Sequence, residues 1–362
     1  MNTFGFNGNG GLNRRVDDLE YLVKRVEVKN WKDVQDIVRA GLADKIFSIG
    51  DQLVSAYGTG TAVWDIIGIN HDTPTDSQYT NSLTIQMHDI LVTAKFDEPE
   101  ALYYAEAELP AGNYYFTNSY ESNKNYQFTL ANAVPAGGII FISAWSTNTP
   151  TQIKTYADKI TTTAINTVSL TEGNTGTQLA PINDIRRCQY GSDRYINSAV
   201  RQWLNSNAST FAWESKSNFD RPVAAAPYTG AGFLNLLDPE LVAVIGGVNK
   251  QVARNTIIDG GGQDLFNDKV FMLSRKEVYG GDEGVVTGEN PYPYYSALAG
   301  SPTTGELAGR IKYNSSKAAS SWWLRSPHTG YTYSPRYVVT TGSVGINLAS
   351  NTFGPAPACC II

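Results

Sequence analysis

The sequence predicts a mixed α+β protein with an inserted β-sandwich-like domain and an N-terminal helical segment. Three observations support this fold class. Apolar residues near the N-terminus recur at helical spacing. The middle of the chain carries short strand patterns separated by Gly, Pro and Asn. The C-terminal part alternates apolar segments with loops rich in Tyr, Ser, Thr and Asn. Charged residues make up only 17% of the chain, against roughly 25% in an average globular protein, which also favours a β-rich, loop-rich fold.

The first predicted unit, residues 1–43, is a helical anchor. Five of its apolar residues follow heptad spacing: Leu12, Val16, Leu19, Val23 and Val26. The pattern covers about two heptads, fewer than the roughly three to four that identify a coiled coil. Two interpretations remain open, namely an amphipathic helix docked on its own domain, or a short coiled coil that assembles a homo-oligomer, with a trimer favoured. A second helix is predicted after Asn30, which suits an N-cap, and Gly41 is placed to end it.

Residues 44–104 are predicted to form the first part of the main domain. Strands are expected at residues 46–49 and 62–69, joined by a turn-rich segment at residues 57–60. Both faces of the second strand are apolar, which is typical of a strand in the middle of a sheet. Residues 83–85 can pair back onto it.

Residues 105–175 are predicted to be the inserted β-domain, because alternating segments follow one another there at short intervals. Insertions of this kind are tolerated at loop tips. The main domain then continues over residues 176–362. Within it, residues 198–205 have the pattern of a helix, residues 270–273 that of a buried strand, and residues 280–320 form a loop region long enough to indicate a function.

Residues 321–358 are the strongest candidate for a binding region. Trp322 and Trp323 would point to opposite faces of an extended segment, so at least one should anchor a core. Pro327 ends that strand because it cannot donate to a ladder. The loops that follow are rich in tyrosine, which offers a large contact area at low entropy cost.

The segment WWLRSP, the Gly-x-Val turn that follows it and the ending GPAPACCII resemble the C-terminal signature of C-type-lectin-like proteins from phages and prophages of gut bacteria. Many of these belong to a domain family of unknown function. Earlier landmarks of the same resemblance are residues 47–51, 65–72 and 199–205. The ending is also similar to the variable region of proteins diversified by diversity-generating retroelements. The resemblance implies a C-type-lectin-like fold for the main domain, with ligand-contacting positions in the C-terminal loops.

On this basis the loops within residues 321–358 are expected to contact a ligand. The candidate contacts are His328, Tyr331, Tyr333, Arg336, Tyr337, Asn347, Ser350 and Asn351. The residues expected to be structural are Trp322, Trp323, Arg325 and Pro327. A hairpin is predicted in which residues 337–339 pair with residues 344–348.

Composition argues against several partners. The net charge is −6 and no run of Lys and Arg is present, so no nucleic acid is expected as a partner. No apolar run approaches the roughly 18 residues of a membrane span, so membrane insertion is not expected. The N-terminus lacks the apolar region of a signal peptide. A protein made in the host cytoplasm and released by lysis as part of a virion fits these features.

Catalytic chemistry is not predicted, because the chain has no recognisable nucleotide, zinc-protease or serine-hydrolase motif. His71-Asp72 could bind a metal or act as a base, although a hydrogen-bonded structural role is favoured. Cys188, Cys359 and Cys360 are expected to be buried thiols. A related fold houses the formylglycine-generating oxidase, which uses two cysteines on copper. Adjacent cysteines alternate faces on a strand, which makes this activity improbable here.

No cofactor is predicted, and calcium is kept as the alternative. Two acidic, glycine-rich loops at residues 259–268 and 280–289 carry oxygen ligands of the kind that calcium prefers. Neither loop has EF-hand spacing. The sequence Glu289-Asn290-Pro291 differs in order from the Glu-Pro-Asn motif of calcium-dependent lectins. The competing interpretation is a pair of solvated acidic loops.

The resemblance, together with these patterns, implies a non-enzymatic phage or prophage virion protein that displays a ligand-binding surface. Its ligand would be a host-cell surface protein or glycan, and its N-terminal segment would contact other virion proteins. Two alternatives stay open: a structural capsid, tail or fibre decoration protein without its own receptor, and a bacterial surface adhesin. An enzyme is the third and least favoured.

Overall fold

The computed structural model describes residues 28–180, 183–281, 283, 289–296 and 308–362. Helices and many strands are both present, which confirms the mixed α+β class. The predicted heptad seam at residues 12–26 lies outside the described residues, so the oligomerising anchor stays a prediction. Much of the predicted loop region at residues 280–320 lies outside them as well.

The helices are short. In chain order they are α1 (Trp31–Arg39), α2 (Ala43–Ile46), α3 (Ile185–Tyr190), α4 (Ala199–Leu204), α5 (Phe233–Leu236), α6 (Pro239–Val244), α7 (Arg275–Tyr279) and α8 (Pro293–Ser296), with 3₁₀ turns at Tyr195–Asn197 and Ala308–Arg310. The first strands are β1 (Gln52–Tyr57), β2 (Gly60–Ile69), β3 (Leu83–Met87) and β4 (Ala94–Lys95).

Eight strands follow in the insertion. They are β5 (Tyr103–Tyr104), β6 (Gly112–Asn118), β7 (Lys124–Leu130), β8 (Ile139–Ser146), β9 (Thr149–Tyr156), β10 (Asn166–Ser169), β11 (Thr171–Glu172) and β12 (Thr177–Gln178). The remaining strands are β13 (Ile245–Gly246), β14 (Val248–Ala253), β15 (Gln263–Asp268), β16 (Val270–Phe271), β17 (Lys312–Tyr313), β18 (Ala319–Ser320), β19 (Trp322–Pro327), β20 (Pro335–Val338), β21 (Val344–Ile346), β22 (Thr352–Pro355) and β23 (Ala358–Ile361).

Helix α1 forms where the sequence predicts it. The Asn30 side chain accepts a hydrogen bond from the Asp33 backbone N–H at 2.9 Å, as an N-cap should. Gly41 follows the helix at a φ of +69°, a conformation that glycine adopts without strain. The helix packs against the end of the chain, because Gln35 Nε2 donates to the Ile362 carbonyl at 2.7 Å.

The main sheet has the order β1-β2-β3-β23-β13, and β16 also pairs with β23. The last strand, β23, therefore lies inside the sheet, between β3 and β13. The strand predicted at residues 46–49 is wrong. Helix α2 ends at Ile46, and the partner of β2 is β1 instead. Gly50, at a φ of +94°, turns the chain between α2 and β1, so the short apolar run before it cannot extend into the strand.

The insertion is built from two four-stranded sheets, β10-β9-β8-β5 and β11-β7-β6-β12. Their inner faces share one core, to which Phe116 and Phe128 contribute from one sheet and Ile140 and Ile153 from the other. Strands β6 to β11 lie within the segment whose alternating pattern predicts strands, residues 105–175. The sheets also take in β5 and β12, which lie just beyond the predicted limits of 105 and 175. Helix α3 packs against this core and presents its other face outward.

A five-stranded sheet, β21-β20-β19-β22-β4, holds the C-terminal candidate region. Trp322 and Trp323 are both fully buried, in two different cores on the two faces of β19. Each indole N–H donates to a backbone carbonyl, that of Arg310 at 3.0 Å and that of Ala94 at 2.9 Å. The predicted hairpin is confirmed, with Val338 opposite Val344.

A buried network of charges fixes β19 to its neighbours. Arg325 donates to Glu277 at 2.7 Å and pairs with Glu289. Lys250 donates to Glu277 at 2.7 Å and pairs with Asp72. Burying a charged side chain removes its hydration and costs free energy. Here each buried cation lies beside buried carboxylates, and their attraction offsets part of that cost. The network joins β14, α7 and β19 into a rigid base for the loops above.

Candidate functional site

Three of the predicted contact residues form a continuous row of rings. The ring centroids of His328 and Tyr331 are 4.5 Å apart, and those of Tyr331 and Tyr333 are 5.5 Å apart. Tyr333 then reaches Tyr190 of helix α3 at 5.3 Å. Tyr331 is exposed, at 41% of its possible surface. The row therefore starts in the C-terminal loop and continues onto a helix that begins near residue 185.

Arg186 extends this row into the insertion. Its guanidinium lies 4.5 Å from the ring centroid of Tyr120, 5.8 Å from that of Tyr190 and 5.9 Å from that of Tyr333. Tyr120 belongs to the turn between β6 and β7 and is 40% exposed. A guanidinium among aromatic faces is held by cation–π attraction. We call Tyr120, Arg186, Tyr190, His328, Tyr331 and Tyr333 the tyrosine surface.

Asp184 fixes the geometry of the tyrosine surface. As the N-cap of α3 it accepts from the Arg186 backbone N–H at 2.7 Å. The same carboxylate accepts from Tyr120 Oη and from Thr332 Oγ1, each at 2.9 Å. The buried Arg187 adds a bond from Nε to the Thr332 carbonyl at 2.8 Å. The insertion, the helix and the C-terminal loop are thus tied together at one point.

The loop between β14 and β15 borders the same region. Thr256 donates to the Thr329 carbonyl from its backbone N–H at 2.8 Å and from Oγ1 at 3.0 Å. Ile257 and Ile258 follow and are 53% and 45% exposed. Three consecutive glycines, residues 260–262, have positive φ values and let the loop fold back. Two exposed isoleucines next to a tyrosine loop add apolar contact area.

Arg336 and His328 lie beside a charge cluster at the edge of the surface. Arg336 pairs with Glu283 at 2.5 Å, and Glu283 also pairs with Arg275 at 2.5 Å. Burial and the neighbouring Arg336 guanidinium lower the pKa of His328. This shift favours the neutral imidazole, which acts as a ring and a hydrogen-bonding group.

The other predicted contacts are not gathered into the tyrosine surface. Tyr337 is half-buried, and its ring is stacked on Phe353 with centroids 4.6 Å apart and also packs on Trp323. Its ring is thus committed to packing, and a ligand contact through its edge stays a prediction. Asn351 Nδ2 donates to Asn347 Oδ1 at 2.6 Å, and both side chains are half-buried. Ser350 contacts the tyrosine surface through its backbone N–H, which donates to the Tyr190 carbonyl at 2.8 Å.

Sequence reasoning missed Tyr120, Arg186 and Tyr190. The Asp184-x-Arg186 start of a helix was readable as an N-cap pattern. Nothing in a single sequence indicates that this helix meets residues 331–333, because the contact spans more than a hundred positions. The residues expected to be structural, Trp322, Trp323, Arg325 and Pro327, are all buried.

The carboxylates of the two acidic loops that the structure describes are paired with arginines. Asp259 pairs with Arg187, and Asp264 pairs with Arg194 at 3.0 Å. Glu289 pairs with the buried Arg325. In the part of the chain that the structure describes, no group of three or more His, Cys, Asp or Glu side chains could hold a metal ion. Part of the second loop lies outside that range, so the calcium alternative stays a prediction.

The residues considered for catalysis or metal binding, His71, Asp72 and the three cysteines, contact other side chains or are buried. The ring of His71 lies 4.2 Å from that of Tyr292. Burial alone would raise the pKa of Asp72, but Lys250 and hydrogen bonds from Thr84 and Tyr292 outweigh it and keep this pKa well below its usual range. Burial raises the pKa of all three cysteine thiols, so they are poor nucleophiles near neutral pH.

Comparison with known proteins gives one match. Residues 177–362, just over half of the chain, match the family described as Domain of unknown function (DUF6273). No curated protein and no solved structure matched the chain. The matched part contains every residue of the tyrosine surface except Tyr120, which lies in the insertion. Among the described residues, none of the helices has the length and apolar character needed to cross a membrane.

Proposed function

The chain belongs to the DUF6273 family, and from the geometry of the tyrosine surface we propose that it is a non-enzymatic ligand-binding protein of a phage or prophage virion. In this proposal the main domain has a C-type-lectin-like fold. Its surface attaches the particle to a protein or glycan of the host cell. The N-terminal segment assembles a homo-oligomer, with a trimer favoured, and contacts other virion proteins.

The observation that carries the proposal is the composition of the tyrosine surface. Four tyrosines, one arginine and one neutral histidine form a single row of contacting side chains. Tyrosine and arginine are the residues that most often supply binding energy at interfaces. Tyr120 and Tyr331 are exposed, and Tyr190, His328 and Tyr333 are half-buried beside them, so the row offers ring surface that a partner could cover.

The row is also held in place before any ligand arrives. Asp184 bonds to Tyr120 and Thr332, and Arg186 stacks among three of the rings. A surface whose side chains are already ordered loses less conformational entropy on binding. Pre-organisation therefore favours a recognition role over a merely solvated loop.

The fold supports the proposal in a second way. Strand β19, with its WWLRSP sequence, is fully buried and anchors the loops that follow it. The C-terminal strand lies in the middle of the main sheet. Both features fit a lectin-like scaffold that displays loops near its C-terminus. Ligand contacts in loops held by buried strands are a common arrangement in binding proteins.

Two alternatives use the same architecture differently. A structural capsid or tail decoration protein would use the tyrosine surface to bind another virion protein. A bacterial surface adhesin would present it from the cell. Imaging the particle separates the first of these, because a decoration protein covers the shell whereas an attachment protein lies at an exposed tip.

The proposal predicts that Tyr331→Ser with Tyr333→Ser abolishes adsorption of the purified protein to host cells. The fold should persist, because substitution of the exposed Tyr331 should change stability by only about 0.5 kcal/mol, and Tyr333 is half-buried among surface side chains rather than in a core. Interface tyrosines, by contrast, contribute about 2 kcal/mol or more to binding. Tyr313→Ser is the matched control, since Tyr313 is also 41% exposed but belongs to β17. Adsorption and thermal melting are measured together.

Tyr337 is left unchanged in this experiment because its ring packs on Trp323 and Phe353. A double variant that keeps its melting temperature and still adsorbs like the parent would place the ligand elsewhere. The same conclusion would follow if Tyr313→Ser reduced adsorption as strongly as the double variant.

A further inference from the structure

A cavity of about 580 Å³ lies where the insertion meets the main domain. Its walls include Ser119 from the turn after β6, Asp184 at the start of α3, and Phe219 and Ile258 from two loops of the main domain. This volume lies within the roughly 300–1,000 Å³ typical of small-molecule sites. Because both parts of the chain contribute walls, neither part forms the cavity alone.

Glu100 is the most deeply placed acid of this cavity, at 6% exposure. Asn183 Nδ2 donates to its carboxyl at 2.5 Å. Burial, partly offset by Arg187, raises the pKa of Glu100 to about 7. Near neutral pH this carboxyl is therefore protonated in much of the population, and a protonated carboxyl both donates and accepts hydrogen bonds.

The two arginines that line the cavity are already paired. Arg187 pairs with Asp259 and lies 3.4 Å from Asp193, and Arg194 pairs with Asp264 at 3.0 Å. An anionic ligand would have to compete with these carboxylates. A cationic ligand would meet two guanidinium groups. The balance of charge therefore favours a ligand that carries no charge.

The rest of the lining combines hydroxyl groups with apolar walls. The hydroxyls belong to Thr117, Ser119, Ser192 and Ser217. The apolar residues of the lining are Ile185, Phe219 and Ile258. An uncharged sugar has the matching chemistry, because its hydroxyls donate and accept in many directions while its C–H faces pack on apolar side chains.

We propose that this cavity binds one uncharged sugar residue of a host-surface glycan, an inference that rests on the attachment function proposed above. Asp184 connects the cavity to the tyrosine surface, because it lines the cavity and accepts hydrogen bonds from Tyr120 and Thr332. A glycan chain lying across the tyrosines can thus place one residue in the cavity. The tyrosines supply contact area, and the cavity selects the sugar.

The test is binding of free monosaccharides to the full chain, followed by saturation-transfer NMR and calorimetry. The probes are neutral hexoses, 6-deoxyhexoses and N-acetylhexosamines, with glucuronic acid and glucosamine as charged probes. We expect at least one neutral sugar to bind and both charged probes to be excluded. If no neutral sugar binds, or if only a charged probe binds, the proposal is overturned.

Two substitutions with matched controls locate the site. Ser119→Trp fills the mouth of the cavity, and Ser315→Trp places the same ring in an exposed turn far along the chain. Ile258→Arg puts a charge against the cavity, and Ile257→Arg puts it on the neighbouring residue, which does not line it. The first of each pair should weaken sugar binding about tenfold or more, which corresponds to roughly 1.4 kcal/mol. Equal effects within a pair would overturn the assignment.

The Tyr331→Ser, Tyr333→Ser double variant separates the two proposals, because neither tyrosine lines the cavity. It should keep monosaccharide binding while losing cell adsorption. Loss of adsorption without any sugar binding in the parent would sustain the attachment function and remove the cavity from it. Sugar binding in a double variant that still adsorbs would sustain the cavity and remove the tyrosines.

Discussion

Glu100 is nearly fully buried at the junction of the insertion and the main domain, and its carboxyl faces Arg187, Asn183 and the charges of Asp220 and Asp259. Burial raises its pKa to about 7. The folded protein therefore holds this proton more tightly than the unfolded chain does. Stability contributed by the proton is full below the ordinary glutamate pKa and is lost as the pH rises through about 7.

Glu100→Gln should accordingly stabilise the protein only at higher pH. At pH 4 the variant and the parent should melt alike, because Glu100 of the parent is then largely protonated in both the folded and the unfolded state. By pH 8 the variant should be more stable by on the order of 3 kcal/mol, given about 1.4 kcal/mol for each unit by which the pKa of Glu100 is raised. The quantity compared is the difference in stability between variant and parent at each pH. Asp97 and Asp193 also have raised pKa values, but they change the stability of both proteins alike.

Glu106→Gln, at an exposed position, is the control for this pH series. It should show no difference that grows with pH. A Glu100→Gln variant whose advantage is the same at pH 4 and pH 8 would contradict the burial and proton affinity assigned to this residue.

At the scale of elements, strand β19 is the part on which the C-terminal loops depend. Its two tryptophans fill opposite cores, and Arg325 joins the buried charge network. The strand is short, so its stability comes from these tertiary contacts rather than from its own ladder. Loss of one large side chain should therefore affect the whole domain.

Trp322→Ala should lower the free energy of unfolding by about 3–5 kcal/mol, because truncating a buried aromatic removes its packing and leaves a cavity. Trp322→Phe should lose less, since a ring still fills part of the space. Urea denaturation of the three proteins measures both changes. If Trp322→Ala unfolds at the same urea concentration as the parent while ligand binding is lost, Trp322 belongs to the site rather than to the scaffold.

Several elements could be predicted from the sequence because their signals are local. Asn30 caps α1, and the hairpin of β20 and β21 turns at Gly342, which has a φ of +85°. Helix α7 carries an equally local signal that sequence reasoning overlooked, the capping box between Ser274 and Glu277. The strand predicted at residues 46–49 failed because an apolar run of that length fits a helix end equally well.

The candidate site was predictable only in part. His328, Tyr331 and Tyr333 could be named because they follow a strand-ending proline in a tyrosine-rich loop. Their partners Tyr120 and Tyr190 could not, because the contacts arise when the insertion folds back onto the main domain. Tyr337 has the same residue type and lies in the same stretch, yet the alternation of β20 turns its ring toward Trp323 and Phe353.

At the scale of the whole molecule, the insertion and the main domain act as one unit around Asp184. The tyrosine surface crosses from one to the other, and the cavity lies between them. The last strand lies within the main sheet, so the sheet is complete only when the whole chain is present. Ligand recognition should therefore require both the insertion and the main domain rather than the C-terminal loop alone.

The most direct measurement of this claim is site-specific photo-crosslinking on host cells. A photoreactive phenylalanine analogue is placed at Tyr331, at Tyr120 across the domain junction, and at Tyr313 as an exposed control of matched accessibility. We expect the two positions of the tyrosine surface to capture the same host-surface molecule and position 313 to capture none. Capture from position 313 alone, or of unrelated molecules from positions 120 and 331, would contradict it.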